Sequence, residues 1–402
     1  MKTVRVGILS ASLGHIPNSF LLPTRQALEN IAGRNTGNLA FRHAVAQHIA
    51  SPHVHVPWGA DPGWVRTVCD LLVIPSANQA NPGMDFGPRA DFLEAVDLPC
   101  LALGLGAQAP HLGAEVTFPR GTLRYLRALS QRSRQIGIRG EYTAEVLAKI
   151  GVNNTVVIGC PSHFINPLPT LGAVIERKLR HGALQHVAVT AGDLAPAHRK
   201  LERKLFNWVL RLGGAYICQS HVGLVALARN RLDEITIAEV DQIRRYLQRR
   251  SARFRPRVKF LAAARQRFRV FFDAGAWLEF LTRFDLVIGS RIHGNLLAVQ
   301  AGTPGICIHH DSRMLELCRT TGMPNVSLKD FLSARRFRAL FDSIPFHGGD
   351  FDRNRTARAR EYRTLLAQSN VQISDELTRL TDATPTDAPQ PADRSPVRAA
   401  DV

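Results

Sequence analysis

The sequence predicts an α/β protein of two domains built on parallel sheets, and three observations predict it. Short apolar, β-branched runs alternate with amphipathic stretches at helical spacing, the pattern of strands covered on both faces by helices. At 402 residues the chain exceeds what one core usually supports, so two domains of similar size are the starting expectation. Several strands empty into polar, glycine-bearing loops ahead of helices, where open α/β sheets bind ligands.

In chain order, Val4 to Leu9 reads as a strand and Asn38 to Ile49 as a helix with Leu39, Ala46 and Ile49 among its apolar positions. Asp70 to Pro75 is a strand running into the polar loop 76–83, and Leu101 to Gly104 is another, emptying into Leu105-Gly106-Ala107-Gln108. Leu123 to Leu129 is helical and Gln135 to Ile138 is a short strand. After it, Arg139-Gly140 turns into a helix from Tyr142 to Ile150. Thr155 to Ile158 is a strand ending at Gly159-Cys160-Pro161-Ser162, and prolines 161, 167 and 169 close a first domain of residues 1–175. A second domain, 176–350, opens with the strand His186 to Thr190 and the turn Ala191-Gly192-Asp193. A basic amphipathic helix from about Ala197 to Leu212 follows, then strands Ala215 to Gln219 (ending at Ser220-His221) and Val270 to Asp273. Residues 351–380 are expected to form a polar C-terminal helix, and the tail 381–402, with four prolines and no periodicity, to be disordered.

Composition narrows the function. Six cysteines without a C-x-x-C pair, most beside apolar runs, suit buried reduced thiols in a cytoplasmic protein. No apolar run reaches the ~18 residues needed to span a bilayer, and Lys2 to Ala11 reads as a first strand, not a signal peptide. Net charge is +18, and eleven basic residues crowd into 244–269 without an acid. A solvated basic face and a surface that meets anionic membrane both fit that segment. Specific nucleic-acid binding is not expected, because no helix-turn-helix, zinc-finger or RNA-recognition signature accompanies the charge.

The densest concentration of chemistry lies in 285–313. Asp285 to Gly289 reads as a buried strand, Ser290-Arg291-Ile292-His293-Gly294 as a corner, and Asn295 to Gln300 as the start of a helix. Gly302-Thr303-Pro304 ends that helix, Gly305 to His309 is a second buried strand, and Asp311-Ser312-Arg313 opens another amphipathic segment. Two arginines and a histidine therefore sit beyond adjacent strand ends beside helix amino termini, a place that favours an anion.

These residues carry a family resemblance. Asp285-Leu-Val-Ile-Gly-x-Arg291-Ile-His293, Ala298-x-x-Ala301-Gly302-x-Pro304 and Asp311-x-Arg313 resemble the polysaccharide pyruvyltransferase family. So do Gly104-Leu-Gly106-Ala-Gln108, Ile138-Arg139-Gly140-x-x-Thr143 and Gly159-Cys160-Pro161-Ser162. The resemblance implies two Rossmann-like domains facing each other across a cleft, the GT-B arrangement, with the acceptor on the N-terminal side. It also implies transfer of pyruvate from phosphoenolpyruvate to two sugar hydroxyls as a cyclic ketal, in exopolysaccharide or cell-surface glycan synthesis. One departure is the Asn35-Thr-Gly37-Asn38 segment, which lies some 25 residues after the first strand and has Asn where the family commonly has Asp.

On that reading phosphoenolpyruvate, with a phosphate and a carboxylate, needs several fixed cations, and Arg139, Arg291 and Arg313 are the candidates. The resemblance sets Arg139 and Arg291 opposite each other across the cleft. Ketal formation needs a proton on the methylene carbon; His293 is the expected acid, kept charged by neighbouring anions, with His221 in reserve. Asn38, Gln79 and Gln108 are candidates to hydrogen-bond sugar hydroxyls, although turn geometry explains Asn and Gly in such loops equally well. The base is not identified: Asp85, Asp193 and Asp311 all follow strands, and each also reads as a cap or turn former. No cofactor or metal is expected, since His309-His310 are adjacent and not spaced as ligands on one face. The expected partners are phosphoenolpyruvate, a saccharide acceptor (free or lipid-linked) and anionic membrane met peripherally through 244–269. Two rivals remain: a GT-B glycosyltransferase using a nucleotide sugar, and a non-enzymatic binder of anionic glycan or membrane. The first lacks the two glutamates eight positions apart that retaining members commonly show; the second leaves Arg291-x-His293 unexplained.

Overall fold

The computed structural model describes residues 4–109, 111–182, 184–248, 256–334 and 337–383. Within them the first sheet holds β1 (Val6–Leu9), β2 (His53–Val56), β3 (Leu71–Pro75), β4 (Cys100–Leu105), β5 (Ile136–Ile138) and β6 (Thr155–Val157), in the order β2-β1-β3-β4-β5-β6. The second holds β7 (Val187–Thr190), β8 (Ala215–Ile217), β9 (Phe268–Arg269), β10 (Leu286–Gly289), β11 (Gly305–His309) and β12 (Asn325–Ser327), in the order β12-β11-β10-β7-β8-β9. All pairings between these strands are parallel. Two Rossmann-like sheets thus face each other across a cleft, the GT-B-like arrangement. In the second sheet the order reverses between β7 and β10, so the loops after these two strands splay apart and leave a crevice.

Ten helices matter below: α1 (Asn38–His48), α2 (Glu141–Ala148), α3 (Leu171–His181), α4 (Arg199–Leu212), α5 (Val222–Ala228), α6 (Ile292–Gln300), α7 (Ser312–Thr321), α8 (Leu328–Ser333), α9 (Gly348–Ala367) and α10 (Asp375–Asp382). Helix α1 is shared property. Its Ala40 and Ala44 pack with Ile217, Trp277 and Leu297 of the second half, while Val45 packs under the first sheet. Leu171, Ile175 and Leu179 of α3 join the core of the second sheet. All six cysteines are buried and unpaired. Among the described residues no helix is long and apolar enough to cross a membrane.

Three expected boundaries move. The strand placed at 270–273 is instead the two residues of β9, because Asp273 is occupied as a helix cap, accepting from Ala276 N at 2.7 Å. The corner 290–294 is shorter than expected: α6 begins at Ile292, so His293 stands in its first turn. The single C-terminal helix is two helices. Asn370 turns the chain between them in a left-handed conformation (φ 56°), and Ser374 caps α10, which runs through residues 381 and 382 of the expected tail. Residues 384–402 of that tail lie outside the described residues.

Both C-terminal helices return to the first sheet. Ala359, Tyr362, Leu365, Leu366, Leu377 and Leu380 pack on Val6, Ile8, Val73, Leu101 and Leu103. Tyr362 is fully buried, stacked on Phe164 with ring centroids 5.5 Å apart, and its hydroxyl has no hydrogen-bond partner. Tyr362→Ala is therefore expected to lower stability by about 3–5 kcal/mol, as removal of a buried aromatic does. Tyr362→Phe, which deletes only the orphaned hydroxyl, is expected to match or exceed the parent. Urea unfolding followed by circular dichroism measures both.

Candidate active site

The cleft narrows to a cavity of about 330 Å³ at the crevice between β7 and β10. Its floor is His293, only 7% exposed. From the opposite sheet Arg139, at the end of β5 and 3% exposed, reaches across to it. Arg139 Nη2 donates to His293 Nε2 at 3.4 Å, Nη1 donates to Asn78 Oδ1 at 3.0 Å, and Nε donates to Gly104 O at 3.0 Å. The Gly104-Leu-Gly106 turn makes room for this. A Cβ on Gly106 would stand 2.8 Å from Arg139 Cδ.

A guanidinium has no lone pair to offer, so His293 presents an unprotonated Nε2 and carries its proton on Nδ1. Cys160 Sγ lies 3.8 Å from the same nitrogen, and the Phe41 ring covers the imidazole at 5.3 Å between centroids. Burial, then the positive charges of Arg139, Arg42 and Arg313, holds His293 well below the usual histidine range. The expectation that neighbouring anions keep it charged is thus reversed for the unliganded protein. Its nearest charged neighbours are cations.

Arg291 lies on the rim, donating from Nη2 to Ser220 Oγ at 2.8 Å with Asp193 Oδ2 at 3.9 Å; its buried Nε has no partner. Arg313 is held by Asp311 (3.1 Å from Nε to Oδ2) and donates from Nη1 to Gln108 Oε1 at 3.3 Å. Asn38, at the start of α1, also lines the cavity. Arg139, Arg291, His293, Arg313 and Asn38 are therefore brought together. Gln79, Gln108 and His221 are not at the cavity wall. Gln79 Oε1 accepts from Ala77 N at 2.7 Å and shapes its own loop. Gln108 stands behind Arg313. His221 caps α5, its Nδ1 accepting from Leu224 N at 3.4 Å.

Of the three aspartates, Asp85 holds the turn before Gly87, and Asp311 caps α7 by accepting from Met314 N at 3.0 Å. Asp193 accepts from Ala195 N at 3.0 Å and also lines the cavity beside His198, whose Nδ1 is 3.0 Å from its Oδ1. His310, the other histidine of this wall, packs on His198 at 4.3 Å between centroids.

Sequence reasoning passed over His198, Arg42 and Gln219, while Asn78, expected with Gln79 to meet sugar hydroxyls, lines the cavity and accepts from Arg139. Gln219 is the most informative. It lines the cavity, is 1% exposed, and neither its amide oxygen nor its amide nitrogen has a protein partner. A Cβ on Gly37 would come within 2.7 Å of its Oε1, so both flanking loops leave space for this amide. A buried amide left unpaired on both atoms is costly unless a ligand or water meets it. The one local signal was position: Gln219 is the last residue of the expected strand 215–219, two residues beyond the observed Ala215–Ile217. Among the described residues no group of three His, Cys, Asp or Glu side chains is placed to hold a metal ion.

Three guanidiniums and an imidazole thus converge between the facing sheets of a GT-B-like fold. The chain belongs to the polysaccharide pyruvyl transferase family, whose model matches residues 7–312, and is thereby a pyruvyl transferase. Among curated proteins none matches the chain. Among solved structures it is similar to UDP-N-acetylglucosamine 2-epimerase from Rickettsia bellii, with 9% identity over 92% of this chain and 97% of that one and a TM-score of 0.45. It is also similar to Anabaena Alr3699/HepE in complex with UDP and glucose, with 11% identity over 91% and 98% and a TM-score of 0.42.

Beneath the Gly192-Asp193 turn lies Glu202, which accepts from Gly192 N at 2.9 Å and from the Tyr216 hydroxyl. Burial raises it from 4.5 to about 7, against the pull of those hydrogen bonds and of Arg291. The folded protein thus keeps a proton that the unfolded chain releases at lower pH. That contribution to stability is complete below the unfolded value and is lost as pH rises through the folded one. Glu202→Gln keeps the shape without the titration. Thermal unfolding at pH 5 and pH 8 should show the parent losing melting temperature that the variant retains; parallel curves would place the Glu202 titration elsewhere.

Proposed function

We propose that this pyruvyl transferase takes phosphoenolpyruvate as donor and forms a cyclic ketal on two hydroxyls of a saccharide destined for exopolysaccharide or cell-surface glycan. The observation that carries the reading is the Arg139–His293 contact: a buried, neutral imidazole met by a buried guanidinium that hydrogen-bonds no carboxylate. A dianionic phosphate with a carboxylate would supply the missing charge. Arg291 and Arg313 would grip it, and Arg139 would turn its Nη2 from His293 to the anion. With the cations neutralised, His293 Nε2 gains a proton and faces the donor.

The steps then balance. His293 gives its proton to the methylene carbon, and C2 becomes an oxocarbenium-like centre. The first sugar hydroxyl adds to C2, and its proton goes to a base. His198 fits that role: its Nδ1 is fixed by Asp193 at 3.0 Å, leaving Nε2 to act from the cavity wall. The C2–O bond to phosphate breaks, the second hydroxyl closes the ring, and phosphate leaves carrying that hydroxyl's proton. Gln219 offers its unpaired amide to donor or acceptor. We place the reaction in the cytoplasm, with peripheral membrane contact through 244–269 resting on charge alone; residues 249–255 of that segment lie outside the described residues.

A thermal-shift screen with phosphoenolpyruvate, UDP, GDP and heparin separates this reading from a nucleotide-sugar transferase and from a simple polyanion binder. Phosphoenolpyruvate should stabilise and UDP should not. Calorimetry in buffers of different ionisation enthalpy should show the parent taking up about one more proton on binding phosphoenolpyruvate than His293→Gln does. The same variant should lose ~100-fold or more in single-turnover phosphate release while still binding donor. Arg291→Lys should mainly weaken donor affinity. Unchanged turnover in His293→Gln would remove His293 as the acid.

His198→Gln tests the base separately. Its turnover on a sugar acceptor should fall ~100-fold, with donor affinity intact. Parental turnover in that variant would send the search to Asp193 itself.

A further inference from the structure

A second concavity, about 900 Å³, runs between α4 and α8, and the cleft does not use it. Among the described residues five cations line it, Lys200, Arg203, Lys204, Arg211 and Lys329, together with Trp208, and no carboxylate does. The α4 residues fall at spacings of three and four, so they form one stripe along a 14-residue helix, a track of about 20 Å.

The stripe is more than a solvated face. Arg203 Nε donates to Tyr246 O at 2.7 Å, and Lys204 Nζ donates to Phe331 O at 2.5 Å and Ala334 O at 2.8 Å. Both side chains are thus fixed by backbone carbonyls. Lys204 Nζ also stands 4.7 Å from the Phe331 ring centroid, and Trp208 packs edge-on against that ring at 5.1 Å. Half-buried, Trp208 holds a rigid aromatic edge inside the groove. Lys200, Arg211 and Lys329 are exposed around it. The track also has a direction: α4 begins at Arg199, directly after His198 of the cavity wall.

We propose that this groove binds a carboxylate-bearing segment of a glycan chain whose end occupies the cleft. Fixed cations suit spaced carboxylates, and an aromatic surface suits the apolar face of a sugar ring. A membrane fits less well, because the groove is concave and its apolar groups, Trp208 and Leu332, line it without projecting. The placement of the chain end rests on the cleft acting on a saccharide; binding in the groove does not.

The probe is hexagalacturonate, with maltohexaose as its neutral counterpart, in calorimetry at low salt. The parent should bind hexagalacturonate, far more weakly at high salt, and should not bind maltohexaose. The triple variant Lys200→Ser, Arg211→Ser, Lys329→Ser should bind hexagalacturonate about tenfold more weakly, the sum of three exposed charge contacts. Its phosphate release with a small sugar acceptor should equal the parent's. Equal hexagalacturonate affinity in the triple variant, or equal binding of maltohexaose, overturns the proposal. So does loss of binding to phosphatidylserine vesicles or single-stranded DNA in the variant when the parent never bound hexagalacturonate. If phosphoenolpyruvate fails to bind the parent while hexagalacturonate binding still needs the three cations, the reading of the cleft falls and the groove stands.

Discussion

The relative placement of the two halves turns on one carboxylate that crosses between them. Glu316 of α7 accepts from Thr143 N at 2.7 Å and from Thr143 Oγ1 at 2.9 Å, at the amino end of α2. The first turn of a helix leaves its N–H groups unpaired and partly positive, so a carboxylate there is held by both hydrogen bonding and the helix dipole. Thr143 Oγ1 in turn accepts from Ala107 N at 3.0 Å, which ties in the loop after β4. Gly140 is required for the approach, since a Cβ there would lie 2.5 Å from Glu316 Cγ. Arg139 is the residue just before that glycine. The bond that locks the halves together therefore also aims the guanidinium that meets His293.

That arrangement keeps the cleft electrostatically unfinished. Asp311 is engaged with Arg313 and the cap of α7, Asp193 with its own turn and His198, and Glu316 with α2. None of them hydrogen-bonds Arg139, which Glu316 reaches only at longer range. A site that holds uncompensated charge gives up stability in the free protein, and ligand binding recovers it.

Much of this was legible in the sequence because the strand–turn–helix pattern is local. Apolar runs, glycines at their ends and the polar residues just beyond them placed Arg291, His293 and Arg313 together, the family resemblance set Arg139 opposite them, and each lines the cavity. Edge strands were harder: β2 is largely exposed, with histidines at alternate positions and no apolar run. Gln79, Gln108 and His221 sit in the right loops, but which way a loop side chain turns depends on which backbone groups need a partner. Gln219, Arg42 and His198 reach the site or its surroundings through tertiary packing that no short window contains. The downward shift of His293 in the free protein, from burial first and then Arg139 and Arg42, was hidden for the same reason: Arg42 is 251 positions away in sequence yet close in space. In α9 an apolar stripe through Phe351, Ala359, Tyr362 and Leu366 was present but diluted by arginines, of which Arg355 proves fully buried, bonded to the carbonyls of His163, Asn166 and Leu168.

The docking of α9 and α10 on the first sheet has a consequence for synthesis. One face of that sheet, around Val6, Ile8, Val73 and Leu101, is covered partly by Val45 and Ile49 and otherwise by residues 359–380, so the N-terminal half leaves the ribosome with this face incompletely closed. It cannot reach its native core while nascent, however complete its strands, and must wait for the last helices to emerge. The chain is therefore made in one direction but finished in the other, and the interval between is when its exposed sheet most needs a chaperone.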